Sequence, residues 1–293
     1  VRRGDVPAAT TEHSLANAST PDLSSVALLV SHDRSGSHYL GSYIRTLPNC
    51  RMIDEVCNEQ AIDPVSNPLS FFGFRHKHAI GNPDYALRRR PDVIAALLDA
   101  YFGFVLEQSE AKRVAIDIKY GHVHNFEIAW WPIFRKPFLF DYARSRRIRI
   151  IHLSRWNSLE TVVSGEVAER RKQWHADGDK PQATEADAVV IDCKRAHEQI
   201  LLLNQQKEAF DKWLHGARAH AVLYEDLVNP WSGEDCRARI ASFMGEKAAK
   251  EFSSPYRKVT PALPKIVRNW AEVALFCREN GLAHYLLPAQ DHA

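Results

Sequence analysis

Val26-Ala-Leu-Leu-Val30-Ser31-His32-Asp33-Arg34-Ser35-Gly36-Ser37-His38-Tyr39-Leu40 is a short apolar run followed by a Gly/Ser loop, and Tyr39, Leu40, Tyr43, Ile44 and Leu47 then recur at helical spacing. An apolar run bounded by a polar loop reads as a buried strand, and the recurrence after it as one face of a helix. Similar β-like runs occur at Arg113–Ile118, Ile148–Leu153 and Ala219–Tyr224. Between them lie helical stretches such as Pro91–Gln108 and Ala186–Leu214, the latter with Val189, Val190, Cys193, His197, Ile200, Leu201 and Asn204 along one face. Strands alternating with helices predict an α/β fold, a parallel sheet flanked by helices on both faces. Neither an internal repeat nor a long linker divides the chain. The expectation is therefore a mobile polar arm over residues 1–25 and a single α/β domain over 26–293, with insertions at 54–90 and 120–145.

The chain has 293 residues, 45% of them apolar, enough for a substantial core. Lysine and arginine total 38 against 36 acidic residues, a formal charge of +2, which argues against a nucleic acid as partner. Basic function must be local. No apolar run approaches the roughly 18 to 20 residues that span a bilayer. Cys50, Cys57, Cys193, Cys236 and Cys277 are odd in number, scattered and free of any Cys-x-x-Cys, which fits a reducing compartment and a cytoplasmic enzyme. The first residue is Val1 rather than methionine, so a processed end, a lost anchor or a signal stays open.

The loop between the first strand and helix is where amides at a helix N-terminus meet an anion. Gly36 permits close backbone approach, Ser35 and Ser37 add hydroxyls, and Arg34 supplies a permanent cation. The plain alternative is a helix capped by Ser35 or Ser37 after a turn. A Walker A loop needs Gly-x-x-x-x-Gly-Lys-Ser/Thr, and here the first glycine and the lysine are missing, which disfavours an ordinary ATPase or kinase.

Arg34-Ser35-Gly36-Ser37-His38-Tyr39-Leu40, with Pro48-Asn49 beyond it, resembles the 5′-phosphosulfate loop of sulfotransferases that use 3′-phosphoadenosine-5′-phosphosulfate, in particular the bacterial nodulation-factor and related carbohydrate enzymes. A second segment, Ile150-Ile-His-Leu-Ser-Arg155-Trp-Asn157-Ser-Leu-Glu-Thr-Val-Val-Ser164, is similar to the family's 3′-phosphate site, where the matching arginine and serine hold that phosphate. A guanidinium fork and a hydroxyl can jointly hold one phosphate. Tyr224-Glu225-Asp226-Leu227 resembles the family's stretch after a late strand, whose tyrosine lies near the adenosine. Tyr256-Arg257-Lys258, followed by Arg268-Asn269-Trp270, resembles the segment that closes over the cofactor, with Arg257 and Lys258 adding charge at the 3′-phosphate. The likeness implies a P-loop-like sulfotransferase fold, with 3′-phosphoadenosine-5′-phosphosulfate as donor, 3′,5′-bisphosphoadenosine as product and a hydroxyl acceptor on a glycan or small molecule. Arg34, Ser35, Gly36, Ser37, His38, Tyr39, Arg155, Ser164, Tyr224, Arg257 and Lys258 would hold the donor.

Sulfuryl transfer needs a base near the sulfate. The resembling carbohydrate enzymes carry a glutamate 21 residues after the loop arginine, which here is Glu55, with Glu59 as its rival. Cytosolic small-molecule sulfotransferases instead use a histidine after a strand-end lysine. Lys119 and His122 in Asp117-Ile-Lys119-Tyr-Gly-His122-Val-His124 suit that role, although the spacing departs from the cytosolic pattern. His122-x-His124, His76-Lys-His78 and Trp174-His175 lack a recurring cysteine or acidic partner, so no metal is expected. Tyr120, Phe126, Trp130, Trp131, Phe134, Phe138, Phe140 and Tyr142 are either core or a surface for stacking sugars. Three readings stand: a carbohydrate or glycolipid sulfotransferase with a carboxylate base, a small-molecule sulfotransferase with a histidine base, and a nucleotide-binding protein without catalysis.

Overall fold

The computed structural model describes residues 22–58, 67–87, 90–128, 135–174, 183–256 and 260–287. Glu59, Arg257, Lys258, His175, Trp130, Trp131, Phe134 and residues 1–21 of the expected arm lie outside the described residues. The described chain forms a five-stranded sheet of β1 (Val26–Ser31), β2 (Cys50–Ile53), β3 (Arg113–Lys119), β4 (Arg149–Ser154) and β5 (Ala219–Leu223), ordered β2-β3-β1-β4-β5. Every pairing is parallel, with Val26 opposite Val114, Ser31 opposite Lys119 and Val30 opposite His152. The α/β architecture expected from the sequence is the one observed. The helices are α1 (Ser37–Ile44), α2 (Phe71–Gly81), α3 (Asp84–Leu87), α4 (Pro91–Ser109), α5 (Phe138–Ser145), α6 (Ser158–Arg171), α7 (Cys193–Trp213), α8 (Tyr224–Val228), α9 (Gly233–Met244), α10 (Leu263–Ile266) and α11 (Trp270–Glu279). No described helix is long and apolar enough to cross a membrane.

Both faces of the sheet are covered, so the inner strands are continuous apolar runs rather than alternating ones. Val26, Leu28, Val30, Val114, Ile116, Ile118 and Ile150 pack with side chains of α4, α5 and the end of α7. Ala27, Leu29, Ala115, Ile151, Leu153 and Val222 pack on the opposite face with α1 and α9. A third cluster joins α6, the start of α7, α10 and α11 and contains no strand residue. All five strands therefore point their C-terminal ends at one edge, where open α/β sheets place ligands.

Several expectations are corrected. The four-residue edge strand β2 was hidden by an exposed Arg51. The helix expected from Ala186 starts at Cys193, because Asp192 caps it by accepting the Arg195 amide, while Val189 pairs in parallel with Val267. Val190 and Leu201, placed on the packed face by periodicity, are exposed. Tyr224 opens α8 instead of ending β5. Within the expected insertions, Phe71 of α2, Tyr85 of α3, and Phe126, Phe140 and Tyr142 are part of the sheet's own core. The described part of the aromatic segment is thus largely core.

Candidate functional site

Leaving β1, the chain passes through His32 and Asp33 to Arg34 at φ 63° and Gly36 at φ 89°, then enters α1. Gly36 is the helix N-cap, and the Leu40 amide donates the first helical bond to its carbonyl at 3.1 Å. Neither Ser35 nor Ser37 caps the helix. A Cβ on Gly36 would lie 2.2 Å from the Tyr224 ring, so glycine is required both by conformation and by contact. The close approach sets Tyr224 against the loop. The first amides of α1 have no acceptor inside the helix and carry its positive dipole end.

One group of side chains gathers on the β4 side of this loop. Arg34 donates to the Ser164 hydroxyl from Nε at 3.1 Å and from Nη2 at 3.0 Å, and from Nη1 to the Trp174 carbonyl. Arg155, at the end of β4, donates to Glu160 and, at 3.4 Å, to the Arg34 carbonyl. Its guanidinium carbon stands 5.0 Å above the Tyr224 ring, and its Nε lies 3.9 Å from Glu225. The family likeness implies that Arg155 and Ser164 hold one phosphate between them. Here Arg34 occupies Ser164, because Glu160 and Glu225 hold Arg155 back against Tyr224. Glu225 also accepts the amides of Trp156 and Asn157, at 3.0 and 3.2 Å, which fixes the entrance to α6. Burial, and then the charge of Arg155, lower the pKa of Arg34. Two neighbouring guanidiniums that oppose one another are stabilised by an anion between them.

A second group lies on the β3 side. Lys119, at the end of β3, donates to the Ser37 hydroxyl at 2.6 Å and to Asp117 at 2.7 Å, and stands 3.7 Å from Glu55. Glu55 follows β2 with φ 30°, and its carboxylate is 3.9 Å from His38 Nε2. His38, then Lys119, pull the Glu55 pKa down to about 2 against the opposing effect of burial. Burial raises the Asp117 pKa, whereas the carboxylates of Asp117 and Glu55 lift Lys119 over the lowering that its own burial imposes. His122, half-buried, is lowered by burial, and its buried Nδ1 has no hydrogen-bond partner among the described residues. Tyr39 stands edge-on to Tyr224 and Phe252, with ring centroids 6.5 and 5.5 Å away. Ser35 is buried in the loop.

The structure thus brings together Arg34, Gly36, Arg155, Ser164 and Tyr224 in one group, and Ser37, His38, Glu55, Lys119 and His122 in the other. Sequence reasoning missed Asp117, Asp33 and Glu160, and gave the acids of the Tyr224 stretch, Glu225 among them, a mainly structural part. Asp117 had a visible signal, an acid two residues before Lys119 in an otherwise apolar strand. Among the described residues no three or more His, Cys, Asp or Glu side chains are gathered to hold a metal.

No protein-family profile matches the chain, and no curated protein is significantly similar to it. Among solved structures, a sulfotransferase domain from the Synechococcus PCC 7002 olefin synthase is similar at 16% identity and a TM-score of 0.40, over 89% of this chain and 90% of that one. A likeness of that extent decides nothing about function, and the reading below rests on the residues of the site.

Proposed function

We propose that the protein transfers a sulfuryl group from 3′-phosphoadenosine-5′-phosphosulfate to a hydroxyl acceptor, a carbohydrate or glycolipid being the class implied by the motifs. The reading includes a cytoplasmic setting, which five unpaired cysteines support. The observation that carries it is the placement of two adjacent guanidiniums, Arg34 and Arg155, with the Ser164 hydroxyl at the open end of α1, next to the carboxylate–ammonium pair Glu55 and Lys119. Such a donor carries phosphate at both ends of its ribose, and the site offers cations and hydroxyls for both. Arg155, Ser164 and Tyr224 would hold the 3′-phosphate and adenosine side, while Arg34, Ser37 and the α1 amides would hold the phosphosulfate side.

Glu55 accepts the acceptor's hydroxyl proton as the oxygen bonds to sulfur and the bond from sulfur to the 5′-phosphate oxygen breaks, its electron pair remaining with the phosphate. Arg34 and Lys119 meet the charge gathering on that oxygen. Lys119 also holds Glu55 ionised, and once its charge is shared with the donor the carboxylate becomes the stronger base.

Thermal unfolding with 3′,5′-bisphosphoadenosine, beside AMP, ADP and ATP, tests the donor site. At about 100 times its dissociation constant a ligand stabilises by roughly 2.7 kcal/mol, a rise of several degrees. Only the bisphosphate should do so, and Arg155→Ala should abolish the rise; equal stabilisation by ATP removes the 3′-phosphate assignment. Glu55→Gln should cost several orders of magnitude in turnover while keeping the bisphosphate shift. Binding without any desulfated product would leave a nucleotide-binding protein. The unpartnered Nδ1 and lowered pKa of His122 favour one second reading, a histidine base acting on a small molecule. It requires a rate that falls with acid in the range of a histidine at or below about 6.5 and collapses in His122→Ala.

A further inference from the structure

Beside Arg34 a cavity of about 500 Å³ runs between α6 and α7. Its wall is mainly apolar, with Val162, Leu203, Leu202 and Trp174, and the last two leave 54% and 47% of their surface exposed. His32 and Asp33, the residues between β1 and Arg34, also line the cavity. His32 stands edge-on to Tyr120, ring centroids 6.0 Å apart, and the charge of Asp33 is felt by both Lys119 and His122. The cavity therefore reaches the stretch of chain between β1 and the loop arginine, within the electrostatic reach of Lys119 and His122.

Gly165 forms part of the cavity wall in the interior of α6. A Cβ placed there meets nothing within 4 Å, and its φ is not in the left-handed region, so neither packing nor backbone asks for glycine. Glycine weakens a helix interior relative to alanine. What it supplies here is room, in a volume of the size that holds a small organic ligand.

The charges on the wall are unequal in their freedom. Arg195 stands 3.9 Å from Glu166, Glu169 pairs with Lys172, and Arg34 is turned to Ser164 and the Trp174 carbonyl. Asp33 is exposed, and its carboxylate makes no hydrogen bond or ion pair with a described residue. A carboxylate next to the loop arginine opposes a polyanionic donor, so it contributes nothing on the donor side. On the acceptor side it complements a cation, and a bound donor increases that demand.

We propose that this cavity receives the acceptor, and that Asp33 selects one carrying a basic amine on an apolar body next to the hydroxyl to be sulfated. The proposal rests on the sulfuryl-transfer reading and names its acceptor class. Its test is calorimetric titration of the protein loaded with 3′,5′-bisphosphoadenosine, using 2-aminooctan-1-ol and its N-acetyl derivative, which differ in charge and share the apolar body. The wild-type protein should bind the amine at least about tenfold more tightly than the amide, and Asp33→Asn should bring the two within about twofold. Gly165→Leu should weaken both by about tenfold while leaving the bisphosphate melting shift unchanged, because the position borders the cavity, a Cβ there meets nothing within 4 Å, and leucine favours a helix interior over glycine. Equal binding of the two probes by the wild type, no binding of either, an amine preference that survives Asp33→Asn, or wild-type binding by Gly165→Leu each overturns the proposal. Failure of the sulfuryl-transfer reading shows separately, as a bisphosphate that does not raise the melting temperature. The same titration without bisphosphate then still judges the cavity.

Discussion

Glu55 is the residue at which charge, backbone and chemistry meet. Its carboxyl is held to about 2 by His38 and Lys119, whereas an unfolded chain releases the same proton near the ordinary glutamate value. The folded state thus gains from the ionised form. That gain is complete above about pH 4.5 and is lost as pH falls through the folded value near 2. Urea unfolding of wild type and Glu55→Gln should therefore give a stability difference that is flat from pH 7 to about 5 and shrinks steadily below about 4.5. A difference unchanged down to pH 3.5 would show that neither His38 nor Lys119 touches the carboxylate in solution. Of this site, the sequence made Arg34, Gly36, Arg155, Ser164 and Glu55 legible, because a strand-end loop and fixed spacings announce them. It could not show that Arg34 reaches Ser164 across 130 positions, since that choice depends on Glu160 and Glu225 restraining Arg155.

The joint between β3, β4 and α7 depends on one buried histidine. His152, 2% exposed on β4, receives or gives a hydrogen bond with the Tyr120 hydroxyl at Nε2, and its Nδ1 lies 2.9 Å from Asp211 of α7. Tyr120, the residue after Lys119, stacks on Phe210 of α7 with centroids 3.9 Å apart, so the joint also steadies the strand end that presents Lys119. Burial lowers the His152 pKa, with Asp211 opposing and Lys207 assisting. The unfolded chain takes up a proton as pH falls below about 6.5 while the folded protein resists it, so this group costs stability on acidification, by up to about 1.4 kcal/mol per pH unit. Wild type should therefore lose ground to His152→Gln between about pH 6.5 and 5 in denaturant melts. Parallel curves would place the histidine outside that balance. His78, His122 and His220 are also lowered by burial, and the paired comparison cancels them. The inner strands of this joint were readable because both sheet faces are buried. Edge strand β2 and the start of α7 were not, since a four-residue edge carries little pattern and Val189 answers to Val267 rather than to its own helix.

At the scale of the whole molecule, two of the three cores share the sheet and the third does not. The strand-free cluster of α6, α7, α10 and α11 has its own buried thiol, Cys277, 2% exposed, and the cluster under α4 has Cys57, fully buried. Burial raises the pKa of both thiols, so each reacts only when its surroundings open. A region without a strand lacks the ladder that makes the sheet cooperative, and such regions open at lower free energy than the core. Alkylation followed by mass spectrometry in increasing urea should therefore label Cys277 before Cys57. Helix α6 of this cluster also carries Ser164, which is bonded to Arg34, whose carbonyl Arg155 reaches from the end of β4. A ligand gripping Ser164 and Arg155 binds only the closed arrangement and stabilises it by mass action. Saturating 3′,5′-bisphosphoadenosine should thus move Cys277 labelling to higher urea, toward that of Cys57, and Arg155→Ala should cancel the protection. If the two thiols label together at every urea concentration, the three cores form one cooperative unit, and the donor site is anchored by the entire fold rather than by α6 and its neighbours.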